Sequence, residues 1–278
     1  RYRNLPIFHE KIKQASVRKT QNDPDVSPYL PDTMHLEPMW IPLGKAKSLY
    51  TYIANDLKQL LTEAQELFGT SFSIEAHYGQ GYQVGSPADQ MRGQIMSRIT
   101  AMRMLCDHPQ LLVDSAEKFA EQTGEGSEYA FSLKEQGHLE NFKSNKLEAV
   151  VQYVEEHLEI DEDHKVVIFT TYLGMLPLLE DALAKKKIKS TLYSGLMNAK
   201  EKEASKTLFQ TSKEVKVLIS TDAGGYGVDL PQANLLVNYD LPWSAGTAVQ
   251  RNSRIRRASS TWKSVIIQDF LASDSIEE

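Results

Sequence analysis

The sequence predicts an α/β fold: a doubly wound parallel sheet, preceded by an extended linker and a helical region. Three observations carry this. Val166-Val167-Ile168-Phe169 is a short continuous apolar run, the pattern of a strand buried on both faces. From there to Phe270, strand-like and helix-like segments alternate, as a parallel sheet with crossover helices requires. Upstream, apolar residues recur at helical spacing behind a proline-rich start.

In chain order, six of the eleven prolines fall between Pro6 and Pro42. Proline sets φ and withholds a backbone donor, so residues 1–45 are expected to be a mostly extended and irregular connector. Leu49, Ile53, Leu57, Leu60, Ala64 and Leu67 predict an amphipathic helix. Residues 69–87 hold four glycines and few aliphatics, and are expected to form a loop or small hairpin. A second helical stretch runs from Met91 toward Leu112, and Pro109 should end it. Residues 119–141 are polar and rich in Gly and Glu, and are expected to be disordered. Leu147, Val150, Val151, Val154 and Leu158 mark another helix. After the strand at 166–169 come a helix with Leu176, Leu179 and Leu183, a strand over 188–193 and a helix over 199–210. Strands over 215–219 and 235–239, a helix over 245–257 and a strand over 263–270 complete the pattern. Residues 46–160 therefore read as a helical region and 161–278 as the α/β domain, with no internal repeat. The start at Arg1 and the stop at Ile276-Glu277-Glu278, which resembles the opening of a helix, read as cut ends.

A chain of 278 residues, 41% hydrophobic, can bury a real core, and its net charge of −6 argues against a surface wholly given to nucleic acid. Cys106 is the only cysteine, which rules out a disulfide framework and suits a reducing compartment. With no long apolar run, the expected location is intracellular: cytoplasmic in a bacterial or viral source, nuclear in a eukaryotic one.

Parallel α/β sheets bind ligands beyond the carboxyl ends of their strands. Those positions hold Thr170, Thr171 and Tyr172, then Ser194 and Gly195, then Ser220 to Asp229, then Asp240, Leu241, Pro242 and Trp243. Small hydroxyl residues and glycines let backbone N–H groups approach a phosphate. Taken singly, each is better read as an ordinary strand-to-helix turn. The segment Gln250 to Arg257 places four arginines within seven residues. Arg254 and Arg257, three apart, are expected on one helical face, where their repulsion would be offset by a polyanion. By spacing alone this fits a solvated basic helix end equally well.

In sequence order, several segments together resemble the motifs of Swi/Snf-type superfamily 2 ATPases. Ser220-Thr221-Asp222-Ala223-Gly224-Gly225-Tyr226-Gly227-Val228-Asp229-Leu230 is similar to helicase motif V, and Gln250-x-x-x-Arg254-x-x-Arg257 to motif VI. Lys165 to Thr170 resembles motif IV, and Tyr193-Ser194-Gly195 the short Gly motif after it. Met104 to Leu112 resembles the family's Cys-Asn-His-Pro segment, Ser144-Asn145-Lys146-Leu147 its Ser-Gly-Lys-Leu, Val17-Arg18-Lys19-Thr20 the end of its first lobe, and Ser275-Ile276-Glu277-Glu278 its Thr-Ile-Glu-Glu. The resemblance spans nearly the whole chain. It implies a RecA-like second helicase lobe, with residues 46–160 as the family's protrusion. It also implies Arg254 and Arg257 as arginine fingers on the γ-phosphate beside Gln250, with Gly225, Gly227 and Asp229 at the nucleotide. Thr170, Ser194, Gly195 and Thr221 would meet phosphates of one strand of double-stranded DNA, and Trp243 would lie near DNA or, as readily, pack on the sheet. Asp229 replaces the usual Asn, Ser253 the usual Asp, and Ala258-Ser259-Ser260 the usual Ile-Gly-Gln.

No P-loop is present: Gly44-Lys45 has Met39 at the earlier glycine position and Ala46 after it. The resemblance therefore implies ATP with Mg²⁺ held mainly by an N-terminal RecA-like lobe outside this chain, which is expected to be monomeric and inactive alone. Asp161-Glu162-Asp163-His164 precedes a strand rather than following one and reads as a solvated turn, Cys106 and His108 lack the further ligands a zinc site needs, and no metal site is expected. Alternatives are an RNA or strand-separating helicase and a non-catalytic module that binds nucleic acid or protein. A dinucleotide enzyme using Gly224 to Gly227 fits poorly, because Leu230 stands where its fingerprint needs glycine.

Overall fold

A computed structural model describes residues 4–16, 19–21, 23–69, 72, 85–139, 143–222 and 227–278. The chain forms α1 (Leu5–Ala15), β1 (Asp32–His35), β2 (Met39–Pro42), α2 (Lys47–Phe68), α3 (Pro87–Asp107), α4 (Gln110–Ala120), α5 (Glu128–Glu135) and α6 (Asn145–Ile160). It continues with β3 (Val166–Thr170), α7 (Met175–Lys185), β4 (Lys189–Tyr193), α8 (Ala199–Thr211), β5 (Val215–Thr221), β6 (Leu235–Asn238), α9 (Ala245–Asn252) and β7 (Ser264–Ser273).

Every strand pairing is parallel, in the order β1-β7-β6-β3-β5-β4, with β2 on the second half of β7. Strand alternation builds two cores. Val166 and Ile168 face Val150 and Val154 of α6 and Leu179 and Leu183 of α7. Val167 and Phe169 face the other way, toward Phe209 of α8, Leu230 and Ile255. With helices on both faces, this is the RecA-like doubly wound sheet. The connection from β5 passes over β3 to the amino end of β6, where the Asn234 N–H donates to the Lys165 carbonyl at 3.0 Å, so the strand order reverses at β3.

The helical region has its own core, in which Leu49 and Ile53 of α2 meet Ala101, Met102 and Leu105 of α3, Leu112 of α4 and Leu133 of α5. A buried charge cluster ties it to the sheet. Lys146 Nζ, at the start of α6, lies 2.9 Å from Asp107 Oδ1 at the end of α3 and 3.0 Å from Glu277 Oε2. Burial alone would lower the Lys146 ammonium, but Asp107, Glu277 and the more remote Asp240 hold it above its ordinary range. Three segments outside the sheet that carried the resemblance thus meet at one point.

Four sequence expectations need correction. The connector is not irregular throughout: Pro6 opens α1, where its missing N–H costs nothing, and β1 and β2 join the sheet. Residues 119–141 contain α5, capped by Ser127 and anchored by buried Tyr129, Ala130 and Leu133. The helix expected to run to 257 stops at Asn252: the Arg254 N–H turns to the Arg251 carbonyl at 2.9 Å, and the Arg254 carbonyl accepts from the Leu230 N–H. Ile276 to Glu278 form a turn rather than a helix, folded back so that the Ala272 N–H donates to Glu277 Oε2 at 2.7 Å. Most of the loop expected over 69–87 lies outside the described residues. Among the described residues, no helix is long and apolar enough to cross a membrane.

Candidate functional site

The carboxyl ends of β5, β3 and β6 lie side by side, and α9 closes over them. Burying these ends brings Asp240 into an apolar setting, where an isolated carboxylate would be costly. The site is built around satisfying it. Thr170 Oγ1 donates to Asp240 Oδ2 at 2.6 Å, Thr171 N–H donates to both carboxylate oxygens at 3.0 and 2.8 Å, and Thr171 Oγ1 donates at 2.5 Å. Arg251, only 2% exposed, enters from α9. It donates through Nη1 to the Asp240 carbonyl, reaches Oδ1 of Asp240 at 3.3 Å, and grips Asp222 with a fork at 2.5 and 2.9 Å. Burial alone would raise the Asp240 carboxyl, but Arg251 and then the two threonine hydroxyls hold it below the usual range. Burial likewise acts to lower the Arg251 guanidinium, and the two carboxylates more than reverse it.

Arg251 therefore fastens the segment after β5, the end of β3 and the end of β6 to one helix. Sequence reading missed it by counting it as one of four basic residues. The available signal was acidic Asp222 and Asp240 just beyond the ends of buried strands, where a carboxylate needs a cation.

Other expected site residues fall into three groups. Asp229 and Arg257 are brought together, with Arg257 Nε 2.6 Å from Asp229 Oδ1. Beside them the Leu230 N–H donates to the Arg254 carbonyl at 3.0 Å, so residues 229–230 run against 254–257. Arg254 and Arg257 share this segment although they share no helix. Gly227 has φ +75 and open space where a Cβ would stand, so its backbone conformation, not crowding, favours glycine. Gly225 lies outside the described residues.

A second group is turned inward. Thr170 is fully buried and its hydroxyl is taken by Asp240, so it shapes the site from within rather than offering a phosphate contact. Thr221 is 3% exposed at the end of β5. Ser194, 5% exposed, is buried at the end of β4, while Gly195 after it is exposed.

A third group stands at the surface. Gln250 is exposed at the end of α9, and Trp243 is 63% exposed. The indole contacts the guanidinium of Arg103 on α3, which lies 4.2 Å from the ring centroid.

Comparison with known proteins places this geometry. Residues 145–259 match the family model described as Helicase conserved C-terminal domain. The chain is 30% identical over 196 residues to the DNA excision repair protein ERCC-6-like of Danio rerio, covering 66% of this chain and 13% of that protein. It is 28% identical over 191 residues to the DNA repair protein RAD5 of Yarrowia lipolytica, covering 69% and 18%. Among solved structures, the Sulfolobus solfataricus SWI2/SNF2 ATPase core in complex with dsDNA matches with TM-score 0.60 and 20% identity, over 98% of this chain and 48% of that one. The C-terminal part of the Fun30 ATPase domain matches with TM-score 0.58 and 19% identity, over 89% and 87%. The chain thus spans less than a fifth of the length of these two curated relatives.

Proposed function

We propose that the chain is the C-terminal lobe of a Snf2-type superfamily 2 helicase, and that it completes the ATP site of a double-stranded DNA translocase. The observation that carries the reading is the Asp229–Arg257 pair, with Arg254 on the same segment. Basic side chains there suit a triphosphate bound across the crevice.

In this reading ATP is the substrate, with its Mg²⁺ held mainly by an N-terminal RecA-like lobe. Arg254 and Arg257 act as arginine fingers on the γ-phosphate, Gln250 stands beside them, and Gly225, Gly227 and Asp229 border the nucleotide. A guanidinium aimed at the transferring phosphoryl group contributes on the order of 10³-fold or more to turnover. Ser194, Gly195 and Trp243 form the nucleic-acid side, and the solved Sulfolobus core in complex with dsDNA supports a duplex as the ligand. ATP binding closes the lobes, hydrolysis reopens them, and alternating grips on phosphates step along the duplex. The protein works inside the cell as a monomer, in the nucleus of a eukaryotic source or the cytoplasm of a bacterial or viral one.

The test is ATP hydrolysis by the complete protein, with and without duplex DNA, beside Arg257→Ala and beside the 278-residue chain alone. Duplex-stimulated turnover that the variant loses and the isolated chain lacks is the expected result. Turnover by the isolated chain would remove the need for a first lobe, and no turnover by the complete protein with duplex DNA or RNA would reduce the lobe to a binding scaffold. Strand displacement would assign it instead to the strand-separating helicases.

A further inference from the structure

Two adjacent carbonyls in the loop that carries Trp243 are held by guanidinium groups from different parts of the fold. The Asp240 carbonyl accepts from Arg251 Nη1 of α9 at 2.5 Å, and the Leu241 carbonyl accepts from Arg103 Nη2 of α3. The Arg103 guanidinium also lies over the Trp243 ring. Arg103 is 8% exposed, whereas the indole it covers is 63% exposed. An aromatic plane on a rigid mount with its remainder in water is what stacking against a nucleic acid requires.

Packing does not account for arginine at this position. Arg103 Nη1 is buried and has no hydrogen-bond partner. A leucine or methionine would fill space on α3 without leaving a buried donor unpaired. What the guanidinium adds is attraction to the face of the indole together with donation to the loop carbonyl.

We propose that Arg103 is a positioning residue, which sets the Trp243 indole for contact with duplex DNA and ties that contact to the helical region. The inference rests on the reading of Trp243 as a nucleic-acid contact. It makes α3 part of the DNA-binding apparatus although Arg103 itself is buried away from the ligand.

The experiment is a double-mutant cycle in the 278-residue chain. The affinity for a fluorescein-labelled DNA duplex at fixed salt is measured for wild type, Arg103→Ala, Trp243→Ala and the double variant. Each single substitution is expected to weaken binding roughly three- to tenfold, with the double variant no weaker than Trp243→Ala alone. Arg103→Lys, which keeps the charge over the ring but not the fork, should recover part of the loss. A variant that merely loosened α3 would weaken binding by the same factor in both backgrounds, and that result overturns the inference while leaving the DNA reading intact. A wild-type chain that does not bind duplex DNA overturns the DNA reading and this inference with it.

Discussion

Arg257 Nε lies 2.6 Å from Asp229 Oδ1, joining the segment that follows β5 to the segment that follows α9. The carboxylate is 58% exposed and the arginine side chain 26%, so the pair is half-buried, with its carboxylate toward the solvent. Such a pair can open to receive a ligand at small cost, since exposed ion pairs contribute about 0–1 kcal/mol.

Asp229→Asn should therefore be tolerated. In the complete protein its duplex-stimulated ATPase is expected to stay within about fivefold of wild type, because the amide still faces Arg257 and the half-exposed pair contributes little. Arg257→Ala should lose roughly 10³-fold, as expected for a residue facing the phosphoryl group. Equal losses in steady-state turnover would mean that the carboxylate itself takes part in hydrolysis.

Arg251 should matter chiefly for stability. Replacing it by Ala strands the Asp240 carboxylate in the interior, and breaking a buried pair in this way costs about 3–5 kcal/mol. Lysine should recover only a minor part, since one ammonium cannot reproduce the fork to Asp222 and the bond to the Asp240 carbonyl. Urea denaturation midpoints at neutral pH decide the matter. An Arg251→Ala midpoint equal to wild type would show that the network contributes nothing.

Asp240 predicts an acid-side effect. Its carboxyl is depressed in the folded chain, so its contribution is present above the unfolded value of about 3.9 and is lost as pH falls through the lower folded value. Unfolding free energy measured from pH 6 down to pH 2 should fall less steeply below pH 4 in Asp240→Asn than in wild type. Parallel curves would remove Asp240 as a source of acid sensitivity.

Lys146 tests the buried cluster. Lys146→Met leaves Asp107 and Glu277 facing each other without a cation, and should destabilise the chain by about 3–5 kcal/mol. Adding Asp107→Asn and Glu277→Gln should restore much of that loss, because the stranded charges are then gone. Thermal unfolding of the single and triple variants separates the cost of unpaired charge from the cost of lost packing.

The sheet was legible because its strands are dictated locally. Val166 to Phe169 are apolar without a break, and Val217 to Ile219 of β5 and Leu235 to Val237 of β6 repeat the pattern over shorter runs, so burial on both faces could be read from residue type. The order of the motifs made Asp229, Arg254 and Arg257 visible as a group. The helix end at Asn252 was not legible, because the chain just beyond it is held at Arg254 by Leu230, in a segment that enters from another strand. The same holds for α5. Its sequence is polar overall, and only the core shared with α2, α3 and α4 repays ordering Tyr129, Ala130 and Leu133.

The sequence by itself determined the alternation of strands and helices, the placing of hydroxyl, glycine and basic residues after the strands, and the absence of a P-loop from this chain. Those features depend on local pattern and on residue identity. Only the tertiary structure decided which polar residues face the solvent and which face each other. It turned Thr170 onto Asp240, drew Arg251 inside to two carboxylates, gathered Asp107, Lys146 and Glu277 into one cluster, and set Arg103 against Trp243. Each of these pairs is remote in the sequence. What brings such groups together is the requirement that a buried charge or donor find a partner, and that partner exists only once the chain has folded.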